Sequence, residues 1–184
     1  MTVKNEHGLT LAEILVAVAV IGLGLVGLAV VIPISSYGVQ EGNQLSTATF
    51  LAEQRIEQVR NAAWSASPVA APPDCVGVSP GGATPTGVAT STTCTRVADT
   101  STGLAACASG STCDTYPDEA TVTGFTRYGR TTRVLDCSAG AGCAGINDAT
   151  MRTVRVTVTY MPLTSSGVSP TAKTVTVDWL VARR

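Results

Sequence analysis

The chain has 184 residues, a net charge of −1, only 14% charged residues and six cysteines. This length fits a single core plus one elongated helix, and the near-neutral charge disfavours a nucleic-acid-binding surface. The 45% hydrophobic content overstates the core, because a large part of it precedes Ser35.

The N-terminus joins a short polar leader to a long uncharged segment. The leader contains Lys4 and Gly8, the sequence Leu-Thr-Leu-Ala-Glu runs from Leu9 to Glu13, and the 21 residues of 14–34 carry no charge. About 20 apolar residues span a bilayer, whereas a secretory signal has an apolar core of about 7–15 residues. A carboxylate in a membrane helix costs about 2.5–3.5 kcal/mol at the helix centre. We therefore expect Glu13 to require a partner from another subunit.

These residues resemble the cleavage and assembly signal of type IV prepilins and of type II secretion pseudopilins. The resemblance implies cleavage between Gly8 and Leu9 by a prepilin peptidase, N-methylation of Leu9, and a role in assembly for Glu13. Two positions depart from the usual pattern, because Leu9 replaces the common Phe and Ala12 replaces a branched aliphatic residue. The string 21–28 is similar to minor pilins of the PilV type.

The expected role of Glu13 follows from its distance to the new terminus. Cleavage leaves an ammonium group on Leu9, four residues before Glu13. In a staggered stack of helices, the ammonium of an incoming subunit can pair with the carboxylate of its neighbour at low dielectric. The alternative is a carboxylate that reaches water at the membrane edge. Lys4 places the leader in the cytoplasm by the positive-inside rule, and the cysteines agree with an oxidising compartment outside.

Residues from Leu9 to about Asn61 are predicted to form one long helix, roughly 75–80 Å in length. Apolar residues at spacings of three and four draw a stripe along its second half, which we expect to pack on the head: Leu45, Ala48, Ala52, Ile56, Val59 and Ala63. Because Pro33 and several glycines lie in the middle of the helix, we expect a break or a melted turn between residues 32 and 43.

The glycines of this helix also match a dinucleotide-binding pattern, GxGxxG, at Gly22, Gly24 and Gly27. That pattern binds a cofactor as the turn between a strand and a helix in a βαβ unit, and no second parallel strand is predicted here. Close packing of helices is the better explanation, so no cofactor is expected. The sole histidine, His7, lies in the leader, which disfavours nucleophilic catalysis and a zinc site. We therefore predict that the chain is not an enzyme.

The remainder is predicted to be a head domain, irregular over 65–120 and β-rich over 121–184. The strand candidates are 125–136, 152–161 and 174–181, and the last two form a hairpin. Their inward faces are predicted to carry Val154, Val156, Val158, Tyr160, Val175, Val177, Trp179 and Val181. Asp118 and Glu119 are predicted to form a solvated turn. The late arginines are expected on solvated strand faces, with an interface or ligand patch as the alternative: Arg127, Arg130, Arg133, Arg152 and Arg155.

The cysteines favour disulfides over a metal site, because no CxxC spacing occurs. Cys107 and Cys113 enclose five residues, and so do Cys137 and Cys143. Pairing within these short loops leaves Cys75 with Cys94, although other connectivities remain open. Such bridges stabilise a loop-rich head by restricting its unfolded chain.

The predicted fold class is therefore α+β, a pilin-like N-terminal helix packed on a small antiparallel sheet with disulfide-bonded loops. The expected divisions are a removed leader (1–8), a transmembrane and assembly helix (9–34), its amphipathic continuation (35–64) and the head (65–184). The resemblance implies a minor pilin of a type IV pilus, anchored in the inner membrane with a periplasmic head and later found on the cell surface. Its implied partners are other pilins or pseudopilins, the prepilin peptidase and an inner-membrane assembly platform. A minor pseudopilin of type II secretion and an uncleaved bitopic membrane protein are the alternatives.

Overall fold

The computed structural model describes residues 10–66, 72–108, 110–139, 143–164 and 167–184. The predicted cleavage site, Gly8 and Leu9, lies outside the described residues. Helix α1 spans Leu11–Asn61, and a single 3-10 turn spans Cys137–Ala139. The strands of the described ranges are β1 (Thr90–Ser91), β2 (Cys113–Asp114), β3 (Tyr128–Asp136), β4 (Met151–Tyr160), β5 (Leu163–Thr164), β6 (Gly167–Val168) and β7 (Lys173–Ala182).

Helix α1 runs without interruption for 51 residues, so the predicted break between residues 32 and 43 is wrong. Pro33 lies inside the helix and has no amide hydrogen to donate, but losing one hydrogen bond leaves the turns on both sides intact. The hydroxyl of Ser36 donates to the carbonyl oxygen of Pro33 at 2.8 Å, a local contact that the helix accommodates.

The head contains a three-stranded antiparallel sheet in the order β3-β4-β7. The central strand β4 pairs with β3 from Arg152↔Asp136 to Tyr160↔Tyr128. On its other side it pairs with β7 from Met151↔Ala182 to Tyr160↔Lys173. A long helix packed on an antiparallel sheet confirms the predicted α+β class. Strand β3 begins at Tyr128 rather than Phe125, because Phe125 donates its amide to the Val122 carbonyl at 2.8 Å and forms a turn.

The core lies between this sheet and the second half of α1. Val154, Val156 and Val158 are fully buried on the inward face of β4, as predicted. The helix buries Ala48, Leu51, Ala52, Arg55, Ile56 and Val59. Four of the six predicted stripe residues are therefore buried, whereas Leu45 and Ala63 are exposed. Leu51 and Arg55, which were not predicted, also belong to the buried face.

Trp179 departs from its predicted inward position, because its side chain is 45% exposed. It lies opposite the fully buried Val154 in the β4–β7 register. However, β7 is an edge strand of the sheet, so neighbouring groups cover its inward face only in part. Val175 and Val177 are accordingly half-buried, whereas Val181 is buried as predicted.

Strand β7 runs alongside α1 and in the same direction. Lys173 at its start forms an ion pair with Glu41, and Arg184, beyond its end, donates a side-chain hydrogen bond to the Arg60 carbonyl at 2.6 Å. The end of the head near Glu41 is referred to below as the lower end, and the end near Arg60 as the upper end. The Tyr128 hydroxyl, which contacts the Gln44 carbonyl at 3.4 Å, also lies at the lower end.

Three disulfides close the loops of the head: Cys75–Cys94, Cys107–Cys113 and Cys137–Cys143. This is the pairing that loop length favours in the sequence. The region 72–116 contains only the two-residue strands β1 and β2 within its described residues, so covalent links take the place of an extended hydrogen-bond ladder there.

Candidate assembly segment and its attachment to the head

Glu13 lies in the first turn of α1, where it forms a capping box with Thr10. Its carboxylate accepts hydrogen bonds from the Thr10 amide at 3.0 Å and from the Thr10 hydroxyl at 3.1 Å. In return, the Glu13 amide donates to the Thr10 hydroxyl at 3.3 Å. The chain therefore supplies neutral hydrogen-bond partners for this carboxylate, but these contacts do not neutralise its charge.

The helical segment that follows Glu13, residues 14–34, presents apolar side chains all around its circumference. Leu23 and Ile32, for example, are 75% and 67% exposed, far more than a side chain packed in a core. Residues 14–34 extend about 31 Å at 1.5 Å per residue, which matches a hydrocarbon core of about 30 Å. Helix α1 is long and apolar enough to cross a membrane, and its most apolar window has a mean hydropathy of 3.0 with none of it buried.

Glycines interrupt this apolar surface at positions where another helix has room to approach. A Cβ atom added to Gly22, Gly24 or Gly27 would meet no heavy atom within 4 Å. Small residues allow close contact between apolar helices in membranes. Their positions on a continuous helix agree with helix packing and not with the strand–turn–helix geometry of a dinucleotide site.

A buried charge cluster attaches the head to α1. Arg55, on the helix, forms an ion pair with Glu119, and the same carboxylate accepts a hydrogen bond from Arg130 Nε at 2.7 Å. The side chains of Arg55 and Arg130 are only 1% and 2% exposed. Burial lowers the pKa of Arg55, the neighbouring Arg130 lowers it further, and Glu119 acts in the opposite direction. The predicted solvated turn at Asp118 and Glu119 is therefore wrong for Glu119.

Arg130 also binds the helix backbone directly. One of its terminal nitrogens, Nη1, donates to the Leu51 carbonyl at 2.9 Å and to Gln54 Oε1 at 3.0 Å. Arg55 in turn lies 5.6 Å from the ring centre of Tyr116, a distance at which a cation and an aromatic ring attract each other. This Arg55–Glu119–Arg130 cluster therefore joins the helix, the loop before β3, and β3 itself.

A second contact of this kind lies near the upper end of the head. Arg152 Nη1 donates to Asp74 Oδ1 at 2.6 Å, and the guanidinium lies 4.2 Å from the ring centre of the buried Trp64. Like Arg130, Arg152 is buried, so the expectation of solvated late arginines is wrong for both. Arg133 and Arg155 pair with Asp118 and Asp178, respectively.

We predict that Asp74 contributes to acid sensitivity of the head. Burial by itself raises the pKa of Asp74, but the Arg152 guanidinium and two backbone amides outweigh burial, and the pKa is lowered. A carboxyl group with a lowered pKa stabilises the fold above its unfolded pKa of about 3.9 and loses that contribution as the pH falls below it. The variant D74N is expected to be less stable than the parent at neutral pH and to show a smaller loss of stability below pH ~4. Denaturant unfolding at several pH values, followed by tryptophan fluorescence, measures both effects, and an unchanged acid dependence would contradict the prediction.

The burial of Arg55 was missed at the level of sequence, although a signal existed. Arg55 lies four residues after Leu51 and four before Val59, so it falls on the same helical face as these two apolar residues. A basic residue on an otherwise apolar stripe indicates a buried acidic partner. That partner, Glu119, lies 64 residues after Arg55 in the chain, so its identity follows only from the tertiary fold.

Comparison with known proteins identifies the N-terminal segment. Residues 3–29 match the family model of the prokaryotic N-terminal methylation motif. No curated protein and no solved structure shows a significant match to the chain. The motif implies processing by a prepilin peptidase and assembly with other pilins, and together with the apolar helix it is consistent with a location in the inner membrane and then in a pilus.

Proposed function

We propose that this chain, which carries the prokaryotic N-terminal methylation motif over residues 3–29, is a structural subunit and a minor pilin of a type IV pilus. The observation that carries the proposal is the contrast within a single helix. Its first half exposes apolar side chains on every face, whereas its second half is fixed to a disulfide-bonded head. A subunit of this form places its apolar half in the membrane before assembly and in the helical core of the filament afterwards.

The proposed maturation begins with cleavage between Gly8 and Leu9, followed by N-methylation of Leu9. Thr10 and Glu13 then become the second and fifth residues of the mature chain. The new ammonium group on Leu9 carries a positive charge at the start of α1, and the Glu13 carboxylate of a neighbouring subunit neutralises it during assembly. The assembly platform of the inner membrane and the other pilins are the partners in this step.

A minor pseudopilin of type II secretion would share the helix and its processing. The head favours the pilus, because its loops are rich in Ser and Thr and closed by three disulfides, features that suit exposure outside the cell. An uncleaved bitopic membrane protein would share only the apolar segment. Distinguishing the minor pilin from the bitopic protein and distinguishing it from the pseudopilin require different experiments.

We predict that the mature protein begins at Leu9 and carries a methyl group on its terminal nitrogen. Mass spectrometry of the membrane fraction from cells with an active prepilin peptidase measures the terminus. The variant G8V is expected to remain uncleaved, because a branched side chain replaces the glycine that defines the site, whereas H7A in the same leader is expected to be cleaved normally. Recovery of the intact parent chain with Met1 in such cells would contradict the proposal and favour the bitopic alternative.

Fractionation separates the two assembly alternatives. In a strain with retractable pili, the mature subunit is expected in the filaments released by shearing, together with the major pilin. Its absence from sheared filaments, combined with lost export of secreted enzymes in a deletion strain, would favour the pseudopilin.

A further inference from the structure

One arginine of the head differs from all the others that the structure describes. Arg127, in the turn before β3, makes no hydrogen bond or ion pair with any described residue. The remaining arginines each bind a carboxylate or a backbone carbonyl, including the exposed Arg60 and Arg155. An arginine that is left unpaired, in a head that otherwise pairs its guanidinium groups, is available to an external anion.

Arg127 lines a groove of about 390 Å³ at the lower end of the head. The groove also contains Tyr160, Met161, Val168 and Ala172, and no carboxylate lies among its lining residues. Met161 and Val168 are 41% and 52% exposed. The groove therefore combines one free cationic group with exposed apolar side chains.

The position of the groove along α1 relates it to the bilayer. The apolar segment ends at Ile34, and Glu41, which pairs with Lys173 at the lower end of the head, follows seven residues later. Seven helical residues extend about 10 Å, and the polar layer on each side of a bilayer is about 5–8 Å thick. When the apolar segment spans the membrane, the lower end of the head lies at the outer boundary of the lipid headgroups.

We infer that this groove binds the headgroup of an anionic phospholipid, with Arg127 contacting the phosphate and with Met161 and Val168 facing the interface. Lys173 adds little net charge, because Glu41 is paired with it, so Arg127 is the cation that determines the preference. The inference rests on the membrane-inserted state of the proposed function. Contact with the lipid surface would fix the orientation of the head before the subunit enters a filament.

The test uses the full chain in nanodiscs of phosphatidylcholine, with or without phosphatidylglycerol. Hydrogen–deuterium exchange is measured for the backbone amides of residues 122–128, 160, 161 and 163, which belong to the lower end. Exchange there is expected to be about fivefold slower with phosphatidylglycerol. The reason is that one basic residue near an anionic surface raises the binding constant by about that factor. The variant R127Q is expected to lose this difference.

Matched variants separate a specific site from a general charge effect. R60Q removes an exposed arginine from the upper end and is expected to leave the lipid effect unchanged, whereas V168D is expected to weaken it. Equal exchange of the parent chain in both lipids would overturn the inference, as would equal loss of the effect in R60Q and R127Q. Protection produced by inorganic phosphate in phosphatidylcholine discs would also overturn it, because the ligand would then be a free anion. Failure of the chain to insert into any nanodisc would instead overturn the proposed function.

Discussion

Replacing Glu119 with alanine is expected to destabilise the head more than any other single substitution of a charged residue. The Glu119 carboxylate is the acidic partner of both Arg55 and Arg130, whose side chains are almost completely buried. Removing it leaves two buried guanidinium groups to repel each other without compensation. Breaking a buried ion pair from one side costs about 3–5 kcal/mol, which is a large fraction of the roughly 5–15 kcal/mol by which domains are stable.

The measurement is the free energy of unfolding by chemical denaturant, followed through tryptophan fluorescence, to which the buried Trp64 contributes, with the disulfides kept intact. D118A is the matched control, because Asp118 is the preceding residue and pairs with Arg133 at a partly exposed site. Pairs of that kind contribute about 0–1 kcal/mol. E119Q is expected to fall between the two, since its amide oxygen still accepts a hydrogen bond. Equal free energies for E119A and D118A would contradict the structural role of the cluster.

The ionic cluster explains how the head is connected to the part of the helix that assembles. Apolar contacts between α1 and the rest of the core come from Ala48 and Ala52, which allow the helix to approach closely, and from larger residues such as Leu51. Arg55 and Arg130 add directional contacts that determine the rotation of the helix on the sheet. In the proposed filament, these side chains would hold the head in a fixed orientation on the helix.

The parts of the fold that follow local patterns could be predicted from the sequence. Strand β4 alternates valine with polar residues over its length, and a period of two places those valines on a single face. The disulfides that close the two short cysteine loops could be predicted as well, because closure of a small loop brings its ends together at low entropic cost. The family model confirmed the N-terminal signal that the leader and the apolar segment indicated.

The parts that depend on tertiary contacts could not be predicted in this way. The sequence shows that Glu119 is charged, but not that a helix 64 residues earlier would bring a buried arginine to it. Alternation likewise placed Trp179 on the inward face of β7 without indicating that β7 lies at the edge of the sheet. Pro33 led to the prediction of a break in the helix, because helix propensity gives only the local free-energy cost of a proline. It does not account for the stability of the helical turns on both sides of that proline.

Substitution of Glu13 is expected to have the largest effect on assembly. Two roles are open to its carboxylate: it caps its own helix through Thr10, and in the proposed filament it neutralises the ammonium group of a neighbouring subunit. E13Q distinguishes the two roles, since glutamine retains an oxygen that can accept the Thr10 hydrogen bonds but carries no charge. If neutralisation is the essential role, E13Q and E13A reduce incorporation into filaments to a similar extent, by roughly a hundredfold or more for the loss of a buried pair.

T10A provides the complementary control. It removes the capping hydroxyl but preserves the carboxylate, and the loss of a helix cap costs only about 1 kcal/mol, so filaments are expected to retain most of this variant. The measured quantity is the ratio of the subunit to the major pilin in sheared filaments, normalised to the cleaved subunit in the membrane, so that a defect in processing is not counted as a defect in assembly. Normal incorporation of E13Q alongside failure of T10A would show that the helix cap, and not the charge, is what the filament requires.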